Sequence, residues 1–273
     1  MRGAPPPALQ LCRSLHIAHH HLEADDDGDD DDGENVLDRL LRHPALAGLT
    51  RLTLGMAARG LTAATLAGLD SLQELRIETS EAFTSALRDE QLAAIATTPS
   101  LGRLTLLSLE RVDLRGPGVA ALARSSTLTA LTTLELYAPA RSALCKALAG
   151  PAPALRGVRR LALCADRFTN ASAAALARAD DLLAGLTELE FRVDESSGFD
   201  WAESFSDSDG ARNARRFAGA LARLLPALRD CEQVTITYSP RSQTRQLARA
   251  DFAALARDPR ALRAAFPPRM TAG

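Results

Sequence analysis

An apolar-x-x-apolar-x-apolar pattern returns eight times along this 273-residue chain, and no other feature limits its folding as much. The copies are Cys12-Leu15-Ile17, Leu49-Leu52-Leu54, Leu72-Leu75-Ile77, Leu104-Leu107-Leu109, Leu131-Leu134-Leu136, Val158-Leu161-Leu163, Leu186-Leu189-Phe191 and Cys231-Val234-Ile236. They start 37, 23, 32, 27, 27, 28 and 45 residues apart, and the two longest steps contain polar insertions. Self-similarity on this scale makes each copy one supersecondary unit that its neighbours complete.

Within a copy the second and third apolar positions lie two residues apart, so in an extended segment both side chains face the same way. That predicts a strand buried on one face. Helical spacing follows most of these strands, at Leu66 and Leu69, then Leu92, Ile95 and Ala96, then Val119, Leu122 and Ala123, then Ala173, Leu176 and Ala177, then Phe217, Leu221 and Leu224. One strand and one helix cannot bury both of their apolar faces alone, so the units must stack into a continuous parallel sheet backed by helices. Aromatic residues make up only 4% of the chain, which leaves Leu, Ala, Val and Ile to build the core. The frequent alanines fit close approach of helix to sheet.

These residues resemble the leucine-rich repeat family, and the period near 27 or 28 is most similar to its ribonuclease-inhibitor-type subgroup. The resemblance covers residues 12–238 in about eight copies. It implies an α/β fold, a leucine-rich repeat solenoid whose curved parallel sheet is backed by helices, in a single domain over 1–273. Within that domain residues 23–34 form an acidic insertion, 195–210 an acidic and aromatic insertion, and 239–273 a C-terminal helical cap. In the family's L-x-x-L-x-L-x-x-N-x-L motif, the Asn position falls on Ala57, Ser80, Val112, Pro139, Asp166 and Asp194. The Asn ladder that satisfies the turn backbone is therefore missing or replaced, and irregular turns are expected.

Nothing in the sequence predicts catalysis or a cofactor. All five histidines precede residue 44, the later chain has no imidazole base, and the phosphate-loop, dinucleotide, nucleophile-elbow and zinc-protease motifs are missing. Glu23, Asp25, Asp27, Gly28 and Glu34 match a calcium-loop spacing, but Asp30 stands where such a loop packs an apolar side chain, and a strand rather than a helix precedes it. His19, His20 and His21 are consecutive, so their side chains diverge in an extended segment. No metal site is expected. The cysteines Cys12, Cys145, Cys164 and Cys231 lie far apart and are expected to be reduced and mostly packed.

Charge is distributed unevenly. From residue 211 onward 12 arginines face 4 acids, while the whole chain carries a formal charge of −2, so an acidic body precedes a basic end. Insertions at equivalent points of a repeating unit map to one edge, and both insertions here are acidic. The second also carries Phe199, Trp201 and Phe205, which either plug the fold locally or remain exposed as anchors for a partner. The basic end has Arg241, Arg245, Arg249, Arg257, Arg260 and Arg263 spaced around Leu247, Phe252, Leu255 and Leu262. It is expected to form one or two amphipathic helices that cap the last unit.

The resulting expectation is a non-enzymatic scaffold that binds a protein through the concave sheet and the acidic edge. The residues expected to carry it are Arg51, Glu74, Arg76, Glu78, Glu110, Glu135, Tyr137, Arg160, Glu188, Glu190, Arg192 and Trp201. A partner with a basic surface fits this set. Nucleic acid requires a continuous basic stripe that the mixed charges do not provide. No run of about 18 apolar residues predicts a membrane span, and no signal sequence is seen, so a monomeric cytoplasmic protein is expected. The alternatives are a substrate adaptor of a ubiquitin ligase, for which no F-box-type segment is seen in the 11 residues before the first copy, or a cytoskeletal or ciliary component.

Overall fold

The computed structural model describes residues 12–18, 36–55, 61–78, 87–110, 116–139, 142–165, 168–193, 209–238, 243–258 and 260–261. Eight of its strands fall on the eight copies of the pattern. They are β1 (Ser14–Ala18), β2 (Arg51–Gly55), β3 (Glu74–Glu78), β4 (Leu106–Glu110), β5 (Thr133–Pro139), β6 (Arg160–Cys164), β7 (Glu188–Val193) and β8 (Gln233–Tyr238). A ninth, β9 (Gln243–Ala248), completes one sheet in simple chain order from β1 to β9. Neighbours from β1 to β8 are parallel, and β9 runs antiparallel to β8.

The register shows why the pattern folds this way. Leu52, Leu75, Leu107, Leu134, Leu161 and Leu189 are partners across successive strands, and so are Leu54, Ile77, Leu109, Leu136, Leu163 and Phe191. Every side chain in these two rows is buried. A one-residue slip would turn each whole row to the opposite face, so the register is strongly specified.

Helices α1 (Val36–Leu41), α2 (Ala63–Leu66), α3 (Asp89–Thr97), α4 (Gly116–Ala123), α5 (Ser142–Leu148), α6 (Asn170–Leu176), α7 (Asp180–Leu183) and α8 (Asp209–Leu224) lie between the strands. Their buried residues join the two strand rows in one core cluster. Helix α8 begins at Asp209, within the expected 195–210 insertion. Thr62 and Thr169 cap α2 and α6 by accepting from the amides of Thr65 and Ser172 at 3.1 and 3.3 Å. Polar side chains also tie each helical layer to the next. Ser100 Oγ donates to the Leu66 carbonyl at 2.7 Å, Ser125 Oγ donates to Ala96, and Asp89 accepts from the Gly118 amide at 2.8 Å. Asp181 of α7 accepts from the Ala152 amide at 3.0 Å and from Arg156 at 2.9 Å. The Ala152 bond first, and then Arg156, holds its carboxyl below the usual carboxylate range.

The Asn positions lie mostly outside the described residues, but a different ladder runs through the residue before each strand. The carbonyls of Arg13, Thr50, Gln73, Thr105, Thr132, Arg159 and Thr187 each accept two amides from the next unit, as Thr105 does from Thr132 and Thr133 at 2.9 Å. The hydroxyls of Thr50, Thr105, Thr132 and Thr187 add a third bond to the same carbonyls. Just ahead of this ladder the units touch backbone to backbone. A Cβ on Gly185 would lie 2.8 Å from the Arg156 carbonyl oxygen, which cannot swing aside as a side chain can. Gly185→Ala is therefore expected to cost about 1–3 kcal/mol by overpacking, measured as a lower urea midpoint; an unchanged midpoint would mean that the units are not in this close contact.

The C-terminal end corrects one expectation. Helices were expected from residue 239 onward, but 243–248 forms β9, and α9 (Arg249–Arg257) follows it as a capping helix. An unpaired β8 would expose a row of amides and carbonyls, and β9 covers that edge.

Candidate functional site

The side chains that alternate with the buried rows fall on the face opposite the helices. Arg51 on β2, Glu74, Arg76 and Glu78 on β3, Glu110 on β4, Glu135 and Tyr137 on β5, Arg160 on β6, and Glu188, Glu190 and Arg192 on β7 all lie there. None of them belongs to the core cluster that the helices share with the sheet. Eleven of the twelve expected positions are thus brought onto one surface. The twelfth, Trp201, lies outside the described residues, as do the 23–34 insertion, residues 195–208 and His19 to His21.

The face is held together by ion pairs across strands. Arg51 meets Glu74 at 3.0 Å, Arg76 reaches past Ser108 to Glu135 at 3.2 Å, and Arg160 holds Glu190 at 2.6 Å and Glu188 at 3.7 Å. Arg192 on β7 meets Glu110 on β4 at 3.6 Å, a reach over three strand spacings or about 14 Å. Its guanidinium lies over the Tyr137 ring, 3.7 Å from the centroid. Burial first, and then the neighbouring Glu135 carboxylate, drives the Tyr137 hydroxyl pKa well above the ordinary tyrosine value. The phenol stays neutral across the physiological range.

Depth divides this surface in a way that alternation in the sequence does not reveal. Tyr137, Glu135 and Glu190 are only 8%, 7% and 6% exposed, whereas the side chains of Arg51, Arg160 and Glu188 are 64%, 40% and 38% exposed. Tyr137 is thus a platform beneath Arg192, and the guanidinium groups and the outer carboxylates are the parts of the face open to solvent. Leu106, Ala162 and Cys164 share the face as well. Their apolar character gave no sign of it.

Removing Glu190 and removing Glu188 should therefore have different effects. Glu190→Ala is expected to lower stability by about 1–2 kcal/mol, because it takes a short charge-assisted bond from a half-exposed arginine. Glu188→Ala should stay within about 0.5 kcal/mol, as exposed pairs do. Equal midpoints for the two variants in urea would contradict this division by depth.

Three of the four cysteines, Cys145, Cys164 and Cys231, are buried, and none is in a disulfide. Burial pushes the Cys145 thiol up to about 12 despite a hydrogen bond with Ser172, so it packs as a neutral side chain. Among the described residues no group of three or more His, Cys, Asp or Glu is placed to hold a metal, and no helix is long and apolar enough to cross a membrane. No protein-family model matches this chain, and no curated protein matches it.

Proposed function

We propose that this chain is a leucine-rich repeat solenoid of about eight units, acting as a non-enzymatic module that binds a partner protein across the open face of its sheet. The observation that carries this reading is the ordered rank of charges from β2 to β7, fixed across strands by the pairs Arg51–Glu74, Arg76–Glu135, Arg160–Glu190 and Arg192–Glu110. Side chains already held in place lose little freedom on binding, which favours a surface built this way for recognition. Its four arginines stand among six glutamates, so the partner that fits presents a basic surface.

The test compares the wild-type chain with a Glu74→Arg/Glu188→Arg variant, which reverses two outer carboxylates of the face, in affinity capture followed by titration of each recovered protein. The expected partner binds the wild type, weakens as salt rises, and binds the variant at least about tenfold less tightly. A folded variant that retains every wild-type partner at unchanged affinity would sink the proposal.

A further inference from the structure

At the opposite end of the chain from β1, the α8–β8 connection and α9 enclose a groove of about 530 Å³. Its floor is apolar, built by Leu225 and Leu228 from the turn after α8 and by Phe252 and Ala256 from α9. Three arginines, Arg229, Arg249 and Arg257, stand around it, all exposed. Among the described residues none of the three has an ion pair. The acids closest in sequence, Asp230, Glu232, Asp251 and Asp258, do not line the groove. It therefore combines an apolar floor with three exposed arginines, of which Arg229 also borders a second pocket with Asp180 and Asp230.

We propose that this groove docks an acidic segment of a partner protein, with an apolar side chain on the floor and carboxylates on the three arginines. Charge selects this occupant. Three exposed arginines call for carboxylates, whereas residues 259–273 of the chain carry Arg260, Arg263 and Arg269 and no acid. A nucleic-acid backbone would satisfy the arginines but leave the accessible apolar surface of Pro226, Ala253 and Ala256 uncovered, since phosphates and sugars bring no apolar anchor. An acidic segment with Phe or Leu answers both features, and the volume admits one or two such side chains. This inference is independent of the open-face proposal, because the groove shares no residue with that face.

The experiment is fluorescence anisotropy of the full chain with a fluorescein-labelled synthetic peptide carrying Phe and Leu at helical spacing among Glu residues. Saturable binding is expected, weakening as salt rises. It should fall about tenfold or more in the Arg229→Ala/Arg249→Ala/Arg257→Ala variant. Ala253 also lines the groove and is exposed on α9, so Ala253→Glu places a repelling carboxylate there at a position that tolerates it in the fold. That variant is expected to lose the peptide while keeping the wild-type melting curve. The inference is overturned by no saturable binding to wild type, by equal binding of a peptide with Phe and Leu changed to Ser, or by undiminished binding to the triple variant. It is overturned as well if a single-stranded oligonucleotide or anionic phospholipid vesicles bind more tightly than the peptide. Wild-type self-association in sedimentation that Ala253→Glu abolishes would assign the groove to a second copy instead.

Discussion

Leu134→Asp is expected to leave the chain largely unfolded at room temperature without denaturant. Leu134 is 2% exposed and stands in the middle of its row, between Leu107 on β4 and Leu161 on β6. Cutting back a buried leucine costs about 2–5 kcal/mol from lost transfer energy and the cavity left behind. Aspartate adds a carboxyl group with no partner in that row, which must be buried charged or take up a proton, and either route costs several kcal/mol more. The total approaches the whole stability of a domain, about 5–15 kcal/mol. The control is one residue away. Thr133 lies on the open face, half-buried, and Thr133→Asp should change stability by about 0.5 kcal/mol or less, read from the urea midpoint. If both variants unfold with the parent's midpoint, or if Thr133→Asp is the more damaging, the alternation that defines the sheet is out by one.

This contrast also marks how far the sequence could be read. The eight parallel strands were legible because the second and third apolar positions of each copy can share a face only in an extended chain; in the fourth copy Leu101-Leu104-Leu106 also fits, and the offset of the following helix favours Leu104-Leu107-Leu109. The open face followed by alternation, since whatever separates Leu52 from Leu54 must point away from them. Depth on that face was not legible. Whether Tyr137 is exposed depends on Arg192 two strands away, and whether Glu135 is buried depends on Arg76 reaching from β3. Such pairings span tens of residues and leave no local trace. The threonine ladder had a visible signal in Thr50, Thr105, Thr132 and Thr187, each directly before a strand, but the family's Asn position drew attention to the other end of the strand.

The C-terminal end was misread for a physical reason. Among the described side chains of Gln243–Ala248 only Leu247 is buried, and the arginines at 241, 245 and 249 have helical spacing, so local pattern points to a helix. The strand forms because β8 offers an unpaired edge, and backbone hydrogen bonds to that edge outweigh a weak local preference. Helix α5 was missed for a milder reason. Leu144, Cys145 and Leu148 do have helical spacing, but seven residues give the pattern little room to repeat.

The second large effect is expected where the aliphatic rows give way to aromatic rings. Phe191 on β7 continues the row of Leu136 and Leu163, yet it packs against Phe168, at the start of the segment leading to α6, and Phe217 on α8. The ring centroids are 4.8 Å apart for Phe168 and Phe191, 5.2 Å for Phe191 and Phe217, and 6.0 Å for Phe168 and Phe217. The tilted and edge-on geometries favour aromatic pairs. Phe191 is fully buried, so Phe191→Ala opens a cavity against both remaining rings and should cost about 3–5 kcal/mol. Phe191→Leu is the sharper experiment, because leucine is what the neighbouring strands carry at this position. If the space between β7, α6 and α8 is wider than that between earlier units, leucine cannot fill it, and the loss should be about 1–3 kcal/mol, read from urea midpoints. Leu163→Phe, the converse change one strand earlier, should also destabilise, by overpacking a gap sized for leucine. A stable Phe191→Leu variant together with a tolerated Leu163→Phe would mean that the gaps are alike, and that the rings fill no wider space at this end of the sheet.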